Sequence, residues 1–391
     1  MNYILFDSDV RNSLLPFTYT RPVADIRIGV LTIREKWEKF LGFTTTSITE
    51  EYLENKYPMV ELDKNILINA SFLPTKNLVK QVSNLSNNQA IFKDEQVIAF
   101  FTSDTQEHVD FDSYEQLEFK EEVLQIKNTW DIFSLNDKAI KADYDLITQG
   151  RTSAPIPEGV QVINKENIFI EEGATISFSS LNASTGPIYI GKDSEIMEGC
   201  LVRGPFALCE YSVLKMGAKV YGATTLGPYC KVGGEVNNSV LFGFSSKGHE
   251  GFLGNSVLGE WCNVGADTNT SNLKNNYAEV KLWDYHKERF TNTGLQFCGL
   301  MMGDHSKCGI NTMFNTGTVI GVSANIFGSG FPRNFIPSFS WGGAAGFTTY
   351  QLNKVIEVAK VVMKRREIEW SEIDEKILQH VFDETAKNRA K

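Results

Sequence analysis

The sequence predicts an α/β domain followed by an all-β left-handed parallel β-helix and closed by C-terminal helices. Three observations carry that expectation. Steps of six from Ile190 land on Ile190, Ile196, Val202, Leu208, Leu214, Val220, Leu226 and Val232, all aliphatic. Small residues stand four places after most of these: Ser194, Cys200, Ser212, Ala218, Thr224 and Cys230. Residues 1–145 lack the period and mix short apolar runs with helical patterns.

A repeat of six suits neither a helix of 3.6 residues per turn nor a flat strand of two. A coil of three short strands predicts it. Each strand turns one aliphatic inward, a small residue fits the tight corner, and stacked coils bury a column that no coil could bury alone. A β-sandwich is the alternative, but it gives no reason for eight steps in phase. The register breaks around "GGEVNNSVLFGFSSKGHEG". It resumes with Phe252, Leu258 and Val264, and again with Met302, Cys308, Phe314, Ile320 and Ile326. The stretch between has no six-fold pattern, so a coil domain over 146–345 should carry a loop-out near 270–299.

In the first domain "NYILF" and "NILIN" read as buried strands and "TIREKWEKFLG" as a helix. "QAIFKDEQVIAFFTS" reads as a hairpin turning at Lys93 to Glu95. Pro155 and Pro157 in "TQGRTSAPIPEG" mark a connector. After the coil, "SGFPRNFIPSFSWGGAAGF" reads as an irregular cap. In the tail, 346–391, Leu352, Val355, Ile356, Ala359, Val362 and Met363 share one helix face. A second helix opens at Ser371 with Asp374 three places on, and carries Ile377, Leu378, Val381 and Phe382. These helices are expected to brace the coil or a neighbouring subunit.

The chain of 391 residues carries a net charge of -10, leaving no surplus of cations for a nucleic-acid groove. No apolar run is long enough to span a bilayer, and "MNYILFDSDV" lacks the basic start of an export signal. The six cysteines form no C-x-x-C pair and read as small core residues in a reducing compartment. The expected location is the cytoplasm.

Two segments could carry chemistry. "LLPFTYTRPVADIRIGVLTIREKWEKF" sets Arg21, Arg27, Arg34 and Lys36 near a strand end, where α/β folds bind ligands. Arg21 and Lys36 are candidate nucleotide ligands, and a solvated basic helix start is the alternative. The second is "GHEGFLGNSVLGEWCNVGADTNTSNLKNNY", one histidine in an amide-rich stretch. A neutral imidazole can take a proton from an amine, and amides can hold hydroxyls without adding charge. The alternatives for His249 are a structural histidine bonded to a carbonyl, or a metal set with His286 and His305. The neighbours of those three do not follow the pattern of metal-binding β-helical carbonic anhydrases.

The domain order and the series His249, Phe252, "LGNSVLGEWCNVGADT", Asn263, Ala266 and Asn272 resemble one family. It is the bifunctional bacterial N-acetylglucosamine-1-phosphate uridylyltransferase and glucosamine-1-phosphate acetyltransferase family, in its Bacteroidetes-type variant. The resemblance covers nearly the whole chain. It implies a divergent sugar-nucleotidyltransferase-like first domain, and His249 as the base that deprotonates the sugar amine. It implies Asn263 and Asn272 on the sugar, with Phe252, Lys219 and Lys274 at substrate positions. Ala266, Ile310 and Gly328 would line the acetyl-CoA arm. UTP or another NTP with Mg²⁺ would join a sugar-1-phosphate in the first domain, and the assembly would be a homotrimer. Phe252 replaces the family's phosphate-binding tyrosine, Asn237 replaces a lysine and Lys219 an arginine. Lys219, Lys247 or Lys274 could compensate. The G-x-G-T-R glycines are missing from "FDSDVRNSLLPFTYTRP", although "TYTRP" and "LTIREKWE" match the variant. Asn69 of "ILINASFLP" stands where a metal-binding Asp would be. Two other functions therefore stay open. One is nucleotidyl transfer to another sugar-1-phosphate, as in a glucose-1-phosphate thymidylyltransferase. The other is a trimeric scaffold whose first domain only binds sugar nucleotides.

Overall fold

The computed structural model describes residues 2–103 and 109–389. In the first domain the strands are β1 (Asn2–Phe6), β2 (Thr46–Ile48), β3 (Asn65–Asn69), β4 (Gln89–Lys93), β5 (Gln96–Thr102) and β6 (Glu115–Glu118). Their order is β2-β1-β3-β5-β4-β6. β1 runs parallel to both β2 and β3, and β5 runs antiparallel to β3 and β4. The β4–β5 hairpin turns through Asp94 and Glu95, both at positive φ (47° and 65°), which matches strand twist in a two-residue loop. The helix Ile33–Leu41 begins with a Thr32/Glu35 capping box and ends at Gly42 in the left-handed region. Its Trp37 is fully buried and donates from Nε1 to the Phe72 carbonyl at 3.0 Å.

The rest of the chain winds as a left-handed β-helix with three faces. Face A holds the strands Gln161–Ile163 through Phe252–Gly254, and face B nine parallel strands from Ile168–Ile170 to Phe335–Ile336. Face C runs from Thr175–Ile176 to Ser340–Gly343 and closes with the antiparallel strand Gly346–Thr349. The eight aliphatics from Ile190 to Val232 are all buried in one cluster. Full burial of each stabilises by roughly 1.5–3 kcal/mol relative to exposure. The small residues sit inside at the corners, where Ser194 Oγ and Ser212 Oγ donate to the carbonyls of Gly191 and Gly227.

Past Val232 the inward column reads Val236, Leu241, Lys247, Leu253, Leu258 and Val264. The resumption expected at Phe252 is off by one: Leu253 points in and Phe252 faces out. The Gly233–Gly234 pair, with Gly234 at φ 72°, shortens one side of the coil. A fixed step of six then loses phase. After Thr270, which still pairs with Phe314 on the coil, the chain leaves the coil and returns to it at Leu300–Met302. It forms the hairpin Lys281–Asp284/Arg289–Asn292, whose Val280 and Leu282 are buried and whose Trp283 stacks on Phe335 at 4.3 Å.

Face B is buried on both sides. Its outward residues Val240, Phe242, Val257, Met301 and Val319 join the first domain's core. Polar bonds fix the junction: Arg27 Nε donates to the Phe242 carbonyl at 3.0 Å, and Asn136 Oδ1 accepts from Gly29 N at 2.7 Å while its Nδ2 donates to the Ala223 carbonyl. The helices Leu352–Lys364 and Glu372–Glu384 brace the same assembly. A Ser371/Asp374 capping box opens the second, Lys56 pairs with Asp374 at 2.8 Å, and His380 stacks on Tyr52 at 3.9 Å. Between faces B and C a corner carries stacked rings: Tyr211, Tyr229, Phe244 and Trp261 at 4.8, 5.0 and 4.2 Å, then His305 at 6.2 Å. All six cysteines are buried and unpaired. Among the described residues no helix is long and apolar enough to cross a membrane.

Candidate active site

The corner between faces C and A gathers most of the acyl-transfer candidates. On face C, Ser246 pairs with Asn263, Asn263 with Lys307, and Lys307 with Asn325. Three residues after each of these come His249, Ala266, Ile310 and Gly328. They therefore lie in one file on successive coils, about 4.8 Å apart. Ala266 accepts at its carbonyl from Asn311 N at 2.8 Å, and Glu250 from Asp267 N at 3.0 Å, which ties neighbouring turns together. His249 is exposed, Ala266 half-buried and Ile310 69% exposed. The file thus faces outward.

On face A beside this corner, a Cβ placed on Gly254 would lie 2.5 Å from the Phe252 ring and 2.7 Å from Asn272 Nδ2. Gly254 is thus a floor over which those two side chains meet. Asn272 Nδ2 donates to Asn255 Oδ1 at 2.8 Å, and the Phe252 amide donates to Asn269 Oδ1 at 2.9 Å. Lys219 stands two rows over on face A, 3.6 Å from Glu250. Asn263 is exposed on face C, on the other side of the corner. Lys274 donates to the Glu279 carbonyl at 2.7 Å inside the loop-out and is used there. Asn269 and Asn255 escaped the sequence reading, because only the one-residue register shift brings them to this floor.

The histidine-metal alternative is not assembled. His249 lies on the A/C corner, His305 on the B/C corner and His286 in the hairpin turn. Among the described residues no group of three His, Cys, Asp or Glu could hold a metal ion.

In the first domain the expected nucleotide ligands face inward. Arg21 is 3% exposed and ion-paired with Asp304, with Glu260 at 3.4 Å, across the domain junction. Lys36, also 3% exposed, pairs with Asp143, whose carboxylate also accepts from the Val30 and Leu31 amides. Both cations are committed to internal pairs. Asn69 is likewise occupied: Nδ2 donates to the Val97 carbonyl at 3.1 Å, and Oδ1 accepts from Ser71 N and Oγ. Its donor set does not fit Mg²⁺, which takes near-octahedral oxygens.

The crevice lies elsewhere, at the carboxyl end of β1. The chain passes from β1 to β2 on one side and to β3 on the other, so this is the sheet's switch point. A cleft of about 350 Å³ opens there, lined by Asp7, Ser8, Asp9, Arg11, Asn12, Thr49 and Glu50 among others. Asp7 accepts from Val23 N at 2.7 Å and Thr49 Oγ1 at 2.8 Å. Burial nevertheless pushes its carboxyl up to about 6. Arg11 donates to the Thr18 carbonyl and Tyr52 hydroxyl, and its buried Nε lies 3.6 Å from Asp7; among the described residues neither that Nε nor the Ser8 Oγ has a hydrogen-bond partner. The signal for this crevice was present in "FDSD", directly after the first strand.

Residues 3–152 match the sugar nucleotidyl transferase family model, so the chain carries a domain of that class and is a transferase. No curated protein is significantly similar to the chain in sequence. Among solved structures, the chain is similar to LpxA, a UDP-N-acetylglucosamine acyltransferase from Bacteroides fragilis. Identity there is 12%, over 58% of this chain and 84% of that one, with a TM-score of 0.27. It is also similar to the polySia-specific acetyltransferase NeuO at 11% identity, over 49% and 85% of the two chains, TM-score 0.25. A third is AntD, an N-acyltransferase from Bacillus cereus, at 12% identity over 54% and 87%, TM-score 0.23.

Proposed function

We propose that the chain transfers an acetyl group from acetyl-CoA to the amine of glucosamine-1-phosphate, and then transfers the uridylyl group of UTP to the product's phosphate with release of pyrophosphate, giving UDP-N-acetylglucosamine. The observation that supports this is the file of His249, Ala266 and Ile310 along one corner, with Phe252 and Asn272 on the adjoining face. Gly265, Ala266, Gly309 and Gly328 leave that corner low, which fits an extended pantetheine arm. The bound thioester supplies an electrophilic carbonyl. His249 takes the proton that the amine loses as it attacks, and can return it to the leaving thiolate. Asn269 and Asn272 offer donors and acceptors to sugar hydroxyls, and Lys219 offers a cation to the sugar phosphate. Exposed Leu201 and Tyr221 on face A would be covered in a homotrimer, and the molecule would work in the cytoplasm.

The test is His249→Ala. His249 is exposed, so the fold should persist, and acetyl transfer should fall ~100-fold or more. An undiminished rate defeats the assignment. The switch-point crevice favours a second reading, nucleotidyl transfer from an NTP to a different sugar-1-phosphate. Pyrophosphate release across a panel of sugar-1-phosphates and NTPs with Mg²⁺ tests it. Silence throughout would make the first domain a binding module.

A further inference from the structure

Position 247 belongs to the inward column of face C, where the adjacent coils place Val232 and Val264. A lysine stands here, and it is 1% exposed. Its methylenes fill the space that an aliphatic fills on the neighbouring coils. Its ammonium turns toward the corner, donating to the Gly233 carbonyl at 2.8 Å and the His249 carbonyl at 2.7 Å. Burying a charge is unfavourable unless its donors are used, and an aliphatic would pack the column without that cost. Packing alone therefore does not account for the residue. What the ammonium adds is a bridge between two successive turns of the corner, one of which carries the proposed base. The charged groups around it are Glu250 and Lys219, which face each other outside the coil, with the Cys308 thiol within.

We propose that Lys247 is a positioning residue for acyl transfer, clamping the His249 turn from inside the coil so that the imidazole keeps one direction toward the acceptor amine. The inference rests on the acetyltransferase reading above. Burial lowers the ammonium to about 8, so the clamp should weaken as pH rises through that value and its two bonds lose the charge that strengthens them.

The test compares wild type with Lys247→Met, which keeps the apolar stem and deletes the charge. Cooperative thermal unfolding should persist, as for the aliphatic coils on either side. The kcat for acetylation should fall ~10- to 100-fold, with KM for the sugar within about twofold. The wild-type decline of kcat/KM above about pH 8 should vanish. NMR of ring-labelled histidine, with His249 assigned from the His249→Ala spectrum, supplies a readout independent of turnover. In wild type the His249 ring signal should show a second step near pH 8, and Lys247→Met should lack it. Without acetyltransferase activity in wild type, the proposed function fails while the NMR step still reports the clamp. An unchanged kcat together with no second step overturns the proposal. If the Met variant does not fold, the wild-type step decides alone, and its absence overturns the proposal.

Discussion

His305 ends the file of stacked rings at the B/C corner, and burial holds its imidazole well below the ordinary value. Among the described residues its Nδ1 has no hydrogen-bond partner. The unfolded chain takes up a proton near pH 6.5 that the folded chain refuses. This contribution to stability is therefore complete above pH 6.5 and lost as pH falls below it. Asp7 works in the opposite sense. Burial raises its carboxyl from the ordinary 3.8 to about 6, so its contribution is full below 3.8 and lost as pH rises through 6. Urea midpoints at pH 5 and 7.5 separate the two. His305→Phe, extending the rings of Phe244 and Trp261 at the same backbone conformation, should hold its stability better than wild type at pH 5. It should also gain roughly 1 kcal/mol at pH 7.5 by removing the orphan nitrogen. Asp7→Asn should remove the loss between pH 5 and 7.5. A His305→Phe curve parallel to wild type would contradict the burial argument.

The inward column from Ile190 to Val232 was fully legible in the sequence, because one physical demand, a buried aliphatic every third of a turn, repeats without interruption. The helix cap at Ser371 was legible for a similar reason, a local rule confined to four residues, and Thr32 with Glu35 follows the same rule. What failed was phase. The glycine pair at 233–234 shortens a side, so Phe252 took the place that belongs to Leu253, and Lys247 went unread as a column residue. The outer burial of face B also left a trace, in the unbroken run Val240, Leu241 and Phe242, where the other faces alternate. These assignments predict a sharp contrast between two leucines. Leu226→Ala, inside the column, should cost about 2–5 kcal/mol in chemical denaturation. Leu201→Ala, 55% exposed on face A, should stay within about 0.5 kcal/mol for the monomer. Similar losses at both would mean the inward and outward sets are misassigned.

No local rule could have revealed the role of Arg21, because its partner Asp304 lies 283 positions away and the two meet only when the first domain docks on face B. That pair, joined by Thr20 Oγ1 donating to Asp304 at 2.7 Å and by Glu260, sits where domain, coil and C-terminal helices converge. The junction has a large apolar core, so the ionic contact adds geometry more than energy. Removing one partner should nevertheless be severe, since a buried guanidinium is left without its carboxylate. Asp304→Ala should cost about 3–5 kcal/mol, and replacing both, Arg21→Met with Asp304→Leu, should recover much of that loss. A double-mutant cycle in urea measures the coupling. Limited proteolysis between residues 149 and 160 reports whether the domains have parted. If the single variants lose little and the connector stays protected, the docking rests on the apolar face alone, and Arg21 becomes available for a ligand after all.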